Sequence, residues 1–126
     1  DRTWVTEISD ETIVILGNDL RFEQMLDKLL DNACDFTPEG GVITVGLSDQ
    51  INFVSLWVEN EGSSLQVQDH VDAFQMFSGT RNDSTGSHLG LGLYVVRLIA
   101  ESMGGQVAIG NTERGVRVEV TGLQAP

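Results

Sequence analysis

The sequence predicts an α+β domain, a two-layer sandwich in which a mixed, mostly antiparallel sheet carries helices on one face. Two segments have apolar residues at helical spacing, and the segments around them alternate apolar and polar residues as strands do. The predicted order is ββ-α-ββ-loop-α-ββ. A chain of 126 residues, of which 40% are apolar, suits one domain with one core.

Two amphipathic helices are predicted from this spacing. The first begins at Asn18 or Asp19, which are good N-cap residues, and ends at the helix-breaking run Pro38–Gly41. The second runs from Leu91 to Met103 and ends at the pair Gly104-Gly105. Each helix would present one apolar stripe to the sheet.

Strands are predicted where short segments are rich in β-branched residues or alternate in polarity. The polar run Ser48–Gln50 is predicted to be the turn between the two central strands. The strand segments are Trp4–Ile8, Thr12–Leu16, Val42–Leu47, Phe53–Glu59, Gln106–Ile109 and Val116–Thr121.

Charge and cysteine content exclude several classes of function. The chain has 19 acidic and 7 basic residues, a formal charge of −12, so its field repels nucleic acid and anionic membranes. No apolar stretch is long enough to span a bilayer. The single cysteine, Cys34, has no disulfide partner within the chain and is expected to be a packing residue.

Since the chain begins at Asp1, we expect an excised domain of a longer protein.

The segment before the second helix has the composition of a mobile surface loop. Residues 78–87 are almost all polar, so nothing anchors them to a core. Gly90 and Gly92 follow, and glycines at the start of a helix favour close approach of an anion to free N–H groups. This pattern alone is weak, because it lacks the Gly-Lys-Ser/Thr of a phosphate-binding P-loop and the βαβ unit of a dinucleotide site.

Four motifs together carry a much stronger signal. In order and spacing they resemble the N, G1, F and G2 boxes of the catalytic and ATP-binding domains of bacterial two-component sensor histidine kinases. The resemblance covers essentially the whole chain and implies the Bergerat-type ATP-binding fold with a mobile ATP lid at about residues 78–89. The matching segments are Leu29–Gly41, Val58–Leu65, Phe74–Phe77 and Leu89–Leu93.

The resemblance implies a role for each matching residue. Asn32 would be the Mg²⁺ ligand, since an amide oxygen suits that ion beside phosphate oxygens and water. Phe36 would lie beside the nucleotide or in the core, and Asn60 would accept a hydrogen bond from the adenine amino group. Arg81 would contact the γ-phosphate or remain a solvated surface residue. The implied ATP-binding set is Lys28, Asn32, Phe36, Asn60, Gly62, Ser64, Phe77, Arg81, Gly90, Leu91, Gly92 and Leu93.

Four positions depart from the family pattern. The usual Asp of the G1 box is Asn60, a neutral acceptor, and its second glycine is Ser64. The N box carries Lys28 where Asn is usual and Asp35 where Lys is usual. Lys28 stands where gyrase-type and chaperone-type ATPases carry the Glu that activates water. Phosphotransfer is therefore favoured over direct hydrolysis.

The resulting hypothesis is a kinase domain that binds Mg²⁺-ATP and passes the γ-phosphoryl group to a histidine on a dimerisation domain absent from this chain. Neither His70 nor His88 has the helix context of that acceptor, so no catalytic residue is expected here. The expected partners are that dimerisation domain and a response regulator, without nucleic acid. The domain is expected in the cytoplasm, with a homodimeric parent in the inner membrane. A degenerate nucleotide pocket acting as a regulatory or interaction module, and an anti-sigma type serine kinase, remain alternatives.

Overall fold

A five-stranded mixed sheet and two helices make up the described part of the domain. The computed structural model describes residues 2–8, 15, 17–50, 52–62 and 84–124, with only the backbone at 50 and 84–91. The elements are β1 (Thr3–Ile8), α1 (Asp19–Phe36), β2 (Val42–Gln50), β3 (Phe53–Glu61), α2 (Ser84–Ser102), β4 (Gln106–Asn111) and β5 (Gly115–Gln124).

The sheet has the order β1-β2-β3-β5-β4, and both helices cover one face of it. Strand β1 pairs parallel with β2, and the other three pairings are antiparallel. The predicted fold class, a two-layer sandwich on a mixed and mostly antiparallel sheet, is therefore confirmed.

Helix α1 begins and ends where its sequence predicts. The side chain of Asn18 accepts a hydrogen bond from the N–H of Arg21 at 3.0 Å, which caps the first turn. At the other end, Thr37 adopts extended backbone angles and Pro38 follows it, which stops the helix at Phe36.

The helices and the inner sheet face enclose one apolar core. From α1 and α2 it takes Met25, Leu29, Ala33, Leu93, Val96, Ile99 and Ala100, and from β2, β3 and β5 it takes Ile43, Val54, Leu56, Val58, Val118, Val120 and Leu123. Cys34 is half-buried and packs against this cluster, as its predicted packing role requires.

Helix α2 begins earlier than predicted. It starts at Ser84 rather than Leu91, so residues 84–87, predicted to be loop, are helical. The buried residues Leu93, Val96 and Ile99 fix the later turns. Once these turns exist, each residue added at the N-terminal end forms one more helical hydrogen bond for the conformational entropy of a single residue. No proline interrupts the segment. The prediction from polarity was wrong here because it ignored this propagation.

The central hairpin also differs from its prediction. Residues 48–50, predicted to be the turn, belong to β2, and Asn52, just before β3, has a φ of +69°. Asn adopts this left-handed conformation more readily than most residues, so it suits the tight turn. The strands β4 and β5 are likewise longer than predicted.

Other predicted elements lie outside the described residues. These are the short helix at 69–76, the loop at 78–83, and all of the strand Thr12–Leu16 except Ile15, which has no regular structure. Within the described residues, neither helix combines the length and hydropathy needed to cross a bilayer.

The outer sheet face carries one large aromatic contact. The ring of Trp57 lies over Gly46, its partner in register, and a Cβ at Gly46 would fall 2.1 Å from two ring carbons. The guanidinium of Arg117 covers the ring at 4.1 Å from the centroid and lies 4.0 Å from Glu59. Position 46 must therefore be glycine for the Trp57 ring to occupy this place.

We expect Gly46→Ala to destabilise the domain by about 1–3 kcal/mol, the usual cost of overpacking. Gly110→Ala on β4 is the matched control, because a Cβ there would meet no heavy atom within 4 Å. Urea denaturation measures both. Adding Trp57→Val should remove most of the Gly46→Ala penalty, and a penalty that persists in the double variant would contradict the packing explanation.

Candidate functional site

Two buried amide side chains mark the candidate site. Asn32 on α1 is 6% exposed and Asn60 on β3 is 4% exposed, and both stand among apolar core residues. The Nδ2 of Asn60 donates a hydrogen bond to the backbone oxygen of Phe36 at 3.5 Å. Because Phe36 lies one helical turn beyond Asn32, this bond joins β3 to the part of α1 that carries Asn32.

The Oδ1 of Asn32 is buried and has no hydrogen-bond partner among the described residues. Leaving such an oxygen unpaired costs about 1–3 kcal/mol, so native structures rarely do it without a reason. The apolar neighbours Leu29 and Ala33 hold this stretch of helix in the core. An amide oxygen in this position can accept a hydrogen bond from a ligand or coordinate a metal ion.

The end of α1 and the end of β3 approach each other unusually closely. A Cβ at Gly62 would lie 2.9 Å from the backbone oxygen of Phe36, and Gly62 has a φ of +157°. The N–H of Gly62 donates to the oxygen of Arg114 at 3.2 Å. On the other side, a Cβ at Gly115 would lie 2.1 Å from the backbone oxygen of Asn60. Only glycines fit this crossing, which keeps Asn60 against the helix.

A residue outside the predicted set secures the same helix end. The Nε and Nη2 of Arg2 donate to the backbone oxygen of Thr37 at 3.2 and 3.1 Å. Thr37 is buried, and its hydroxyl donates to the backbone oxygen of Ala33. Sequence reasoning missed Arg2 because no local pattern reveals a contact across 35 positions. The Thr37-Pro38 pair was a visible signal for the helix end.

The predicted glycine-rich residues lie on α2, in a different setting from the one expected. Because the helix begins at Ser84, the N–H groups of Gly90 and Gly92 lie inside it rather than in the first turn. The prediction that they face phosphate freely is therefore not met in this conformation. Leu93 is fully buried in the core, and Gly92 has open space beside it.

The remaining predicted residues divide into two groups. Lys28, one turn before Asn32 on α1, is half-buried, whereas Asp35 is exposed. The other group lies outside the residues whose side chains are described: Ser64, His70, Phe77, Arg81, His88 and Leu91.

The protein donors at this site fit a magnesium ion whose other ligands are phosphate oxygens and water molecules. Among the described residues, no three His, Cys, Asp or Glu side chains cluster as a metal site. The bare Oδ1 of Asn32 supplies one hard oxygen donor, and Mg²⁺ commonly takes few protein ligands, filling its shell with phosphate oxygens and water.

A second concavity lies elsewhere on the molecule. A groove of about 520 Å³ at the start of α1 is lined by residues that include Phe22, Leu26, Leu47 and Met103. None of the predicted site residues that the structure describes is among its lining residues. It is therefore separate from the site around Asn32 and Asn60.

Comparison with known proteins identifies the class. The chain belongs to the family of histidine kinase-, DNA gyrase B-, and HSP90-like ATPases, whose model matches residues 17–125. Within this family it is similar to sensor histidine kinases, and the resemblance expected from the four motifs is confirmed.

Two curated relatives and one solved structure illustrate the likeness. The sensor protein kinase PmrB of Pseudomonas aeruginosa is 28% identical over 120 residues, which make up 95% of this chain and 25% of PmrB. The sensor protein ChvG of Agrobacterium fabrum is 36% identical over 103 residues, 79% of this chain and 17% of ChvG. The nucleotide-free catalytic domain of histidine kinase ThkA has a TM-score of 0.87 and 27% identity, over 98% of this chain and 79% of that one. The chain thus spans a quarter or less of the two sensor proteins.

Gly92→Ala tests whether the helix keeps a glycine at this position for ATP binding although glycine lowers helix stability. Alanine is favoured over glycine in a helix by about 0.5–1 kcal/mol, so the variant should be more stable by that amount. If ligand approaches the Gly92 backbone, the same variant should bind ATP more weakly. Denaturation and calorimetry together provide the check, and a variant that is more stable with unchanged ATP affinity would remove Gly92 from the site.

Proposed function

We propose that this domain binds Mg²⁺-ATP and provides the γ-phosphoryl group for transfer to a histidine on a separate dimerisation domain. The observation that carries the proposal is the buried Oδ1 of Asn32, which has no hydrogen-bond partner in the part of the chain that the structure describes. Membership of an ATPase family and similarity to sensor kinases support it.

Each residue of the site has a role in this proposal. Asn32 holds the magnesium ion, which when bound neutralises charge on the phosphates. Asn60 accepts a hydrogen bond from adenine, and Gly62 allows the base to lie near the end of α1. Lys28 supplies positive charge one turn before Asn32. The sequence motifs add the remaining contacts from Phe36, Ser64, Phe77, Arg81 and Leu91. Leu93 packs in the core instead, and the N–H groups of Gly90 and Gly92 lie inside α2.

The nature of residue 28 favours transfer over hydrolysis. A half-buried lysine one turn before Asn32 is no general base for water while it is charged. Phosphoryl transfer depends mainly on positioning and charge neutralisation, so the chain needs no nucleophile of its own. The nucleophile is the histidine of the dimerisation domain.

The wider setting of the domain follows from the same proposal. The parent would be a homodimeric sensor kinase in the inner membrane, with this domain in the cytoplasm and a response regulator as the final acceptor. The similarity to sensor proteins several times longer supports this arrangement.

Two assays test the function directly. Titration with ATP by calorimetry should show binding that depends on Mg²⁺. With radiolabelled ATP, the isolated chain should stay unlabelled, and a dimerisation domain from its parent should gain an acid-labile label. Binding without transfer would favour the regulatory module instead, and stable label on His70 or His88 would contradict the assignment.

Asn32→Ala should weaken Mg²⁺-ATP binding by about 1.5–3 kcal/mol, the range for a contact to a charged group. The loss should shrink when EDTA removes the metal, since Asn32 acts through the ion. The variant should unfold no more readily than the native domain, because the buried oxygen that it deletes has no partner among the residues described. Equal losses with and without Mg²⁺ would show that Asn32 is no metal ligand.

Lys28→Ala should weaken ATP binding by about 1–3 kcal/mol if the ammonium group contacts phosphate. Arg21→Ala is the matched control, because Arg21 is an exposed cation near the start of the same helix. Asp35→Lys should restore part of the loss, as it returns a cation to the position where the family carries one. Unchanged affinity in Lys28→Ala would make Lys28 a surface residue without a role in binding.

A further inference from the structure

The C-terminal end of α1 is held by a cation that the helix does not itself supply. Its last turn contains no basic residue and one acidic residue, Asp35, although a positive charge is favoured at a helix C-terminus. Arg2, just before β1, provides this charge from a distant part of the chain. Its Nε and Nη2 both donate to the backbone oxygen of Thr37, at 3.2 and 3.1 Å.

Arg2 and its neighbour Thr3 together fix both ends of the short connection between α1 and β2. While Arg2 binds the oxygen of Thr37, the N–H of Thr3 donates to the oxygen of Gly41 at 3.0 Å. Between these two points, the N–H of Gly41 donates to the oxygen of Pro38 at 2.8 Å and closes the turn. A shift of the helix along its axis would therefore break the Arg2 contact.

This anchor is one bond away from the backbone that carries Asn32. The hydroxyl of the buried Thr37 donates to the backbone oxygen of Ala33, the residue after Asn32. The Oδ1 of Asn32 has no hydrogen-bond partner among the described residues, so no such bond fixes where it points. The helix backbone must place this oxygen, and the last turn of that backbone is held through Thr37.

We propose that Arg2 is a positioning residue for the metal site, because it holds the end of α1 and so keeps the Asn32 oxygen where Mg²⁺-ATP binds. The inference rests on the proposed nucleotide function and adds a residue that lies outside all four motifs. The bonds of Arg2 go to a protein carbonyl, so its role requires no contact with phosphate. Groups that orient a metal ligand from outside the coordination shell commonly affect metal affinity.

Arg2→Ala should weaken Mg²⁺-ATP binding about tenfold, the lower end of the loss when an outer partner of a metal ligand is removed. Arg2→Lys keeps the charge and a donor, so it should recover most of this loss. Arg21→Ala is the matched control, because it removes the same charge from an exposed side chain at the opposite end of α1. Calorimetric titration of the whole chain with ATP in excess Mg²⁺ measures each affinity. Native affinity in Arg2→Ala would overturn the proposal.

A second comparison distinguishes a displaced ligand from a general loss of stability. Gly46→Ala, on the outer sheet face, should lower the free energy of unfolding and leave ATP affinity unchanged. Arg2→Ala should lose affinity at a temperature at which circular dichroism shows that both variants are folded. If Gly46→Ala lost as much affinity as Arg2→Ala, destabilisation would explain both losses and the positioning role would be wrong.

The dependence on Mg²⁺ shows whether Arg2 acts through Asn32. In the presence of EDTA, Arg2→Ala should cost little affinity, because the oxygen that it positions has no metal ion to bind. In an Asn32→Ala background, the cost should be small for the same reason, as a double-mutant cycle measures. A loss that persists undiminished in both tests would show that Arg2 does not act through Asn32, which would overturn the proposal.

The outcomes separate this inference from the function on which it rests. If the native chain and Arg2→Ala bind Mg²⁺-ATP equally well, nucleotide binding stands and the role of Arg2 fails. If the native chain binds no nucleotide, the proposed function itself is overturned, and the positioning role with it.

Discussion

The way helix α1 ends is the constraint on which the site depends. A helix leaves its last carbonyl groups without internal partners, and here two distant parts of the chain supply them. Asn60 from β3 donates to the oxygen of Phe36, and Arg2, just before β1, donates to the oxygen of Thr37. These bonds fix the helix end against both the edge strand and a middle strand of the sheet, and they hold Asn60 against Phe36, one helical turn beyond Asn32.

Asn32 shows how core packing and the proposed metal binding make opposite demands on one position. Leu29 and Ala33 must stay in the core for the sandwich to close, and they carry Asn32 into the core with them. A leucine at this position would pack better in the core, but it would offer no oxygen to a ligand. The helix accepts a buried oxygen that has no partner among the described residues, which is expected where a ligand completes the hydrogen bonding.

Local sequence patterns predicted those features of the fold that depend on interactions between residues close in sequence. The limits of α1 follow from the Asn18 cap and from Thr37-Pro38, and the inner strands follow from their alternation. The four motifs identified the family because they combine information from the whole chain. The start of α2 was not predictable from polarity, since packing at Val96 and Ile99 stabilises turns that lie far from these residues.

The site was predictable only in part, for a similar reason. Asn32 and Asn60 stood out as members of motifs, but the bonds that orient the end of α1 join residues far apart in sequence. Arg2 lies 35 positions from its acceptor, and the Phe36 carbonyl lies 24 positions from Asn60. Such bonds appear only once the strands are in register, because side-chain chemistry alone does not encode which backbone oxygen will be left free.

The contact between Trp57 and Gly46 has a consequence for how this sequence can diverge. A larger residue at 46 is accommodated only after the ring at 57 has been replaced by something smaller, because the two occupy the same space. The order of substitutions therefore matters, because a path that enlarges residue 46 first passes through an overpacked intermediate. Descendants of this chain should change position 57 first or keep both residues together, although neither residue belongs to the proposed nucleotide site.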